Sequence, residues 1–137
     1  MQAIGFNFTK ISAEKSKTSG GQAKINTNIN ITDVSQPKND LLKTKGTVLE
    51  VSFEYRVNYE PNFAKISIEG VAILDVEQKI ADEVLKHWKK KETPEEFRLF
   101  AVNVIIQKST LKALNLCDEL NLPLHVPFPL LKKNQDQ

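Results

Sequence analysis

Ala64-Lys65-Ile66-Ser67-Ile68-Glu69-Gly70-Val71-Ala72-Ile73-Leu74-Asp75-Val76-Glu77-Gln78-Lys79-Ile80-Ala81 carries the chain from one hydrophobic period to another. Ala64, Ile66 and Ile68 alternate with polar residues, the pattern of a strand with one dry face. After Gly70 the segment is apolar on both faces through Val71, Ala72, Ile73 and Leu74. That predicts a kink at the glycine and a strand end buried on both sides. From Asp75 the spacing turns helical, with Val76, Ile80, Ala81, Val84, Leu85 and Trp88 on one stripe. Asp75 and Gln78, three residues apart, read as a capping-box pair.

Upstream, the cleanest strand places Leu49, Val51, Phe53, Tyr55, Val57 and Tyr59 on one face and Glu50, Ser52, Glu54, Arg56 and Asn58 on the other. Glu60-Pro61-Asn62 reads as a tight hairpin, since proline's fixed φ suits the second turn position. Ala23, Ile25, Thr27, Ile29 and Ile31 alternate in the same way with lysine, asparagine and threonine. Ile4, Phe6 and Phe8 also alternate, and the pattern restarts out of phase at Ile11 and Ala13. A one-residue slip flips the inward face, which predicts a bulge near Thr9–Lys10. Thr18-Ser19-Gly20-Gly21 reads as a turn or short crossover, and residues 35–46 as a longer loop in which Leu41 and Leu42 sit oddly.

Downstream, Lys89-Lys90-Lys91 ends the first helix. Thr93-Pro94-Glu95-Glu96 starts a second, with threonine as N-cap and proline at the first helical position. It can run to about Leu120, on the order of 40 Å. Between Phe97 and Ile106 it is apolar almost all round, more than one stripe against a sheet requires. The surplus implies a second partner, most economically another copy, with Leu99, Val102, Ile105 and Ile106 as candidate subunit-interface residues. The chain then enters a proline-punctuated apolar tail, residues 120–131. Strands followed by helices predict an α+β fold: a four-stranded antiparallel sheet, then a short and a long α-helix packed on one face. One domain is expected over residues 1–137, with 132–137 a disordered tail.

Composition narrows the function classes. Nineteen basic against 17 acidic residues leave a net charge of +2, too mild to imply nucleic-acid binding alone. The single Cys117 rules out an internal disulfide and fits a reducing compartment. The start of the chain has no basic n-region or continuous apolar h-region, and no stretch approaches about 20 apolar residues. A cytoplasmic location is expected.

Little chemistry is visible. His87 and His125 stand in unrelated contexts, with no cysteine or carboxylate at ligand spacing, so no metal site is expected. No base can be assigned to Cys117, which reads as a small half-buried apolar residue. Ser19-Gly20-Gly21 joins two strands and lacks the helix N-terminus a phosphate loop uses. Glu50 and Glu54 read as surface, since nothing marks a pocket that would raise a carboxyl pKa. Lys86-His87-Trp88-Lys89-Lys90-Lys91 has two readings. It is either a basic helix end complementing the macrodipole, with Trp88 on the apolar stripe, or an RNA-binding cluster. The first is the simpler. No enzyme and no cofactor are expected.

The order of four strands then helices, the segment Ala64 to Ile73, and the ending after Leu99-Phe100 and Thr110-Leu111 in Leu-Asn-Leu-Pro-Leu-His-Val-Pro-Phe-Pro-Leu resemble the SecB-type export chaperones and their relatives. The likeness spans about residues 4–131. It implies a cytoplasmic homo-oligomer, dimer or tetramer, that holds non-native polypeptides in apolar grooves without ATP. The family's sheet face carries acidic residues that dock a translocation motor. Lys10 and Lys65 fall at two of those positions and only Glu14 stays acidic. The crossover after the first strand is polar, and the family's second C-terminal helix is missing. The resemblance therefore implies a SecB-like holdase outside motor docking, such as one guarding an antitoxin or another aggregation-prone partner.

The expected function is an ATP-independent chaperone for unfolded or nascent polypeptide, with candidate client contacts Leu41, Leu42, Phe53, Tyr55, Tyr59, Trp88, Phe97, Phe100 and Phe128. Core or subunit packing is the competing reading for each. The alternative function is a nucleic-acid-associated adaptor using Lys86–Lys91.

Overall fold

The alternation at 47–60 produces β3 (Thr47–Glu60), which hairpins onto β4 (Ala64–Val76) at the centre of the sheet. The computed structural model describes residues 1–17, 24–37, 46–90 and 92–126. At the hairpin the Phe63 amide donates to the Tyr59 carbonyl at 2.9 Å, the Glu60–Pro61 peptide is cis, and Asn62 takes a φ of 52°. β1 (Gln2–Lys15) pairs antiparallel with β4, and β2 (Lys24–Ser35) with β3, giving the order β1-β4-β3-β2. β1 and β2 thus lie on opposite edges of the sheet and are not paired with each other.

The phase slip at Thr9 is realised as a register shift between Phe8 and Lys10. Further shifts fall between Ala3 and Gly5 and between Ile31 and Asp33. The last turns Val34 onto the buried face although it is out of phase with Ile31.

α1 (Gln78–His87), a short 3-10 turn (Trp88–Lys90) and α2 (Glu95–Glu119) follow the strands. Both helices lie on the face carrying Leu49, Val51, Phe53, Tyr55, Val57 and Tyr59, all buried. Val34, Leu49, Val51, Ala72, Leu74 and Val76 pack under α1 and the first turns of α2 through Ala81, Val84, Phe97 and Ala101. Phe53 through Tyr59, with Ile66 and Ile68, pack under the rest of α2 through Ile105, Ala113, Leu116 and Cys117.

Two helix starts differ from the sequence reading. α1 begins after Glu77, with no side-chain cap, and Asp75 and Val76 stay in the strand. Asp75 cannot cap because Gln2 and Val48 pair with it from both sides, so ladder bonds outweigh a local cap. α2 is preceded by Pro94 in the N-cap position, one residue later than expected. Val71 and Ile73 are only half-buried, because among the described residues no element covers the outer sheet face. Among the described residues no helix is long and apolar enough to cross a membrane.

Candidate functional site

The carboxy-terminal end of α2 reverses the chain onto the sheet. Asn121 takes a φ of 53°, the Leu122 amide donates to the Cys117 carbonyl at 2.8 Å, and the Asn121 amide to Asp118 at 3.3 Å. This pair of bonds is a Schellman motif with asparagine in the left-handed position. The Lys15 ammonium, at the end of β1, donates to the Leu120 carbonyl at 3.0 Å and adds a cation where the helix dipole is negative.

Past that turn, Leu122–Val126 runs over the aromatic row of β3. The Tyr59 hydroxyl donates to the Pro123 carbonyl. Its proton is thereby committed, so the Cys117 thiol, 3.2 Å away, is the donor in their contact. The Tyr55 hydroxyl lies 2.7 Å from His125 Nε2 and 3.1 Å from Thr110 Oγ1. His125 Nδ1 is 3.9 Å from Cys117 Sγ, and the imidazole stands edge-to-face on the Tyr55 ring. Burial raises both phenol pKa values. For Tyr55 the Thr110 hydrogen bond opposes the rise, and for Tyr59 the Cys117 bond adds to it. Burial lowers His125 below the ordinary histidine value.

The sequence reading found no base for Cys117, and the fold supplies an imidazole eight residues on. The thiol is fully buried in the chain's own core. Among the described residues no three His, Cys, Asp or Glu side chains converge. Beside this segment an open groove of about 830 Å³ is lined by Leu111, Leu114, Cys117, Leu122, Pro123 and Leu124, among others.

Of the expected client contacts, Phe53, Tyr55, Tyr59 and Phe97 are each 1% exposed and fill the chain's own core. A client reaches them only if α2 or the 122–126 segment moves. Trp88 and Phe100 are half-buried, while Leu41, Leu42 and Phe128 lie outside the described residues. Of the expected interface residues, Leu99 and Ile106 are 51% and 38% exposed and Val102 is half-buried. Ile105 points into the core and is closed to a partner. Leu111, 70% exposed, is the most exposed large apolar side chain among the described residues, and the sequence reading named it as neither a client nor an interface contact. Its neighbours Lys108, Lys112 and Asn115 hide it in a polar context.

On the outer face, charges pair locally. Lys10 Nζ lies 4.0 Å from Glu69, Lys65 is the register partner of Glu14, and Arg56 lies 3.4 Å from Glu54. Lys86, Lys89 and Lys90 are exposed around the half-buried Trp88.

One solved structure with this architecture is the SecB-like chaperone Rv1957 of Mycobacterium tuberculosis, in complex with a ChAD peptide from the HigA1 antitoxin. It matches at a TM-score of 0.54 and 14% identity, over 96% of this chain and 87% of that one. The chain has a SecB-like fold. No protein-family model and no curated protein matches the sequence. In this SecB-like fold α2 lies across β3 and β4, and on the outer face Glu54 and Glu69 each stand beside a cation.

Proposed function

We propose that this chain is an ATP-independent holdase that captures extended apolar segments of non-native or aggregation-prone polypeptides. The observation that carries the reading is surplus apolar surface on α2, with Leu99, Ile106 and Leu111 exposed, on a chain with a SecB-like fold. Exposed apolar side chains gathered on one element mark an interaction surface. The solved neighbour holds an antitoxin peptide, which supports a peptide client for this chain as well.

Leu99, Val102 and Ile106 form the proposed contact between copies, in a dimer or tetramer. Leu111, Leu114, Trp88 and Phe100 remain for a client, joined by Leu41, Leu42 and Phe128. A cytoplasmic location is part of the proposal. The outer face is mixed in charge, with Lys10 beside Glu69 and Lys65 opposite Glu14 in register, which argues against docking of a motor that needs an acidic face.

The test is fluorescence anisotropy of a labelled, unstructured apolar peptide without nucleotide. Saturable binding that weakens when Leu111 and Leu114 become serine is expected, and absence of binding contradicts the proposal. The nucleic-acid alternative rests on Lys86, Lys89 and Lys90, which also complement the carbonyl end of α1. Steeply salt-dependent RNA binding, reduced by Lys89→Glu with Lys90→Glu, would favour it.

A further inference from the structure

Tyr55 and Tyr59, two aromatics the sequence offers to a client, are closed off by residues 122–126. Three contacts hold this segment: Tyr59 to the Pro123 carbonyl, and Tyr55 and Cys117 to the two nitrogens of His125. We propose that residues 122–126 are a proton-released strap, held over Tyr55 and Tyr59 by neutral His125 and lifted when the ring takes up a proton. What enters the opened face is a polypeptide, and that part rests on the holdase reading; the strap itself does not.

Three observations carry it. The first is the surroundings of the ring. The groups facing His125 are the Tyr55 phenol from β3 and the Cys117 thiol from α2, with Tyr59 and Thr110 one bond further along the same network. None of the four is a carboxylate, and no carboxylate is bonded to the ring among the described residues. Among the described residues the charged groups at this end include Asp118 and Glu119, exposed on the last turn of α2, and Lys15 from β1, which grips the Leu120 and Asn121 carbonyls. None of them is bonded to the imidazole. A proton on His125 therefore places an uncompensated charge in a half-buried site, which costs free energy that the free ring does not bear.

The second is the hinge. The chain reverses at Asn121, and Leu122, 6% exposed, anchors the far side of the turn. The strap can swing about this point while Lys15 keeps the end of α2 in place. The third is the groove of about 830 Å³ beside the strap: Leu122, Pro123 and Leu124 form one wall of it, so lifting 123–126 widens an existing opening.

The direction of the pH effect follows. Burial lowers the docked ring's pKa, so the released strap binds the proton more readily. Docking is fully present above the ordinary histidine value of about 6.5 and weakens as pH falls below it, by up to about tenfold per pH unit for one proton. The loss stops once the docked ring itself protonates.

The experiment is hydrogen exchange of the segment spanning 120–126, with anilinonaphthalene sulfonate fluorescence as a probe of opened apolar surface, between about pH 8 and about pH 5.5. After correction for intrinsic exchange rates, strap opening should rise towards low pH, by up to about tenfold per unit, and dye fluorescence with it. His125→Gln should remove the slope and His87→Gln should keep it. A flat wild-type profile, or the same slope in H125Q, overturns the proposal. Because H125Q also alters packing, the unaltered protein's His125 ring is titrated by NMR. A midpoint below about 6.5 supports the strap, and one at or above it overturns it. A pH-dependent strap with no peptide capture at any pH leaves this inference standing and removes the holdase reading. Capture with no pH dependence does the reverse.

Discussion

The Lys15 ammonium donates to the Leu120 carbonyl at 3.0 Å, tying the last residue of an edge strand to the end of a helix 105 residues later. The same ammonium reaches the Asn121 carbonyl at 3.5 Å and lies 5.9 Å over the Phe63 ring. Lys15→Met keeps most of the aliphatic stem and removes the charge. Because the site is exposed, the loss is expected to be small, about 0.3–1 kcal/mol in chemical denaturation. It should shrink as salt is added, and a loss unaffected by salt would contradict the dipole account.

Tyr59 bridges the Pro123 carbonyl and the Cys117 thiol from inside the core. Tyr59→Phe leaves both partners without their hydroxyl and should cost about 1–3 kcal/mol. Its signature is local: hydrogen exchange should accelerate at 122–126 far more than in β3 or β4. Uniform acceleration across the sheet would show that the hydroxyl supports the core, not the segment above it.

Gly70 is needed because there is no space for a Cβ. One built there collides with the Asn7 carbonyl and comes within 2.8 Å of Phe53 Cζ. Gly70→Ala must push β1 away from β4 or move the Phe53 ring, and should cost about 1–3 kcal/mol or more by thermal unfolding. Neutral behaviour would mean that the β1 edge yields freely.

Much of this was legible beforehand. Strict alternation in β3 identified the buried row from Leu49 to Tyr59, because a strand covered on one face only needs that pattern. The slip between Phe8 and Ile11 located the bulge for the same reason. The helix starts misled because local caps compete with ladder pairing, and at Asp75 the ladder prevails. Exposure on α2 was legible in kind but not residue by residue: Leu99 and Ile106 face out, while Ile105, one residue away from Ile106, faces in. The cluster of Tyr55, Tyr59, Cys117 and His125 was not legible. Tyr59 meets Cys117 only where α2 packs on the sheet, and His125 joins them only through the turn at Asn121, 70 residues of chain after Tyr55.

The exposed stripe makes its own demand. Leu99→Asp with Ile106→Asp alters surface positions and should leave the unfolding free energy of a single chain within about 0.5 kcal/mol. If the stripe joins copies, the double variant should show a lower mass in solution than the unaltered protein. An unchanged mass above that of one chain would move the interface elsewhere, with the open edges of β1 and β2 the next surfaces to examine.

The most direct measurement is light scattering of an unfolded model client diluted from denaturant into buffer without nucleotide. Substoichiometric amounts of this protein should suppress the scattering, and Leu111→Ser with Leu114→Ser should weaken the suppression. Scattering unchanged at several-fold excess of the protein would contradict the holdase account.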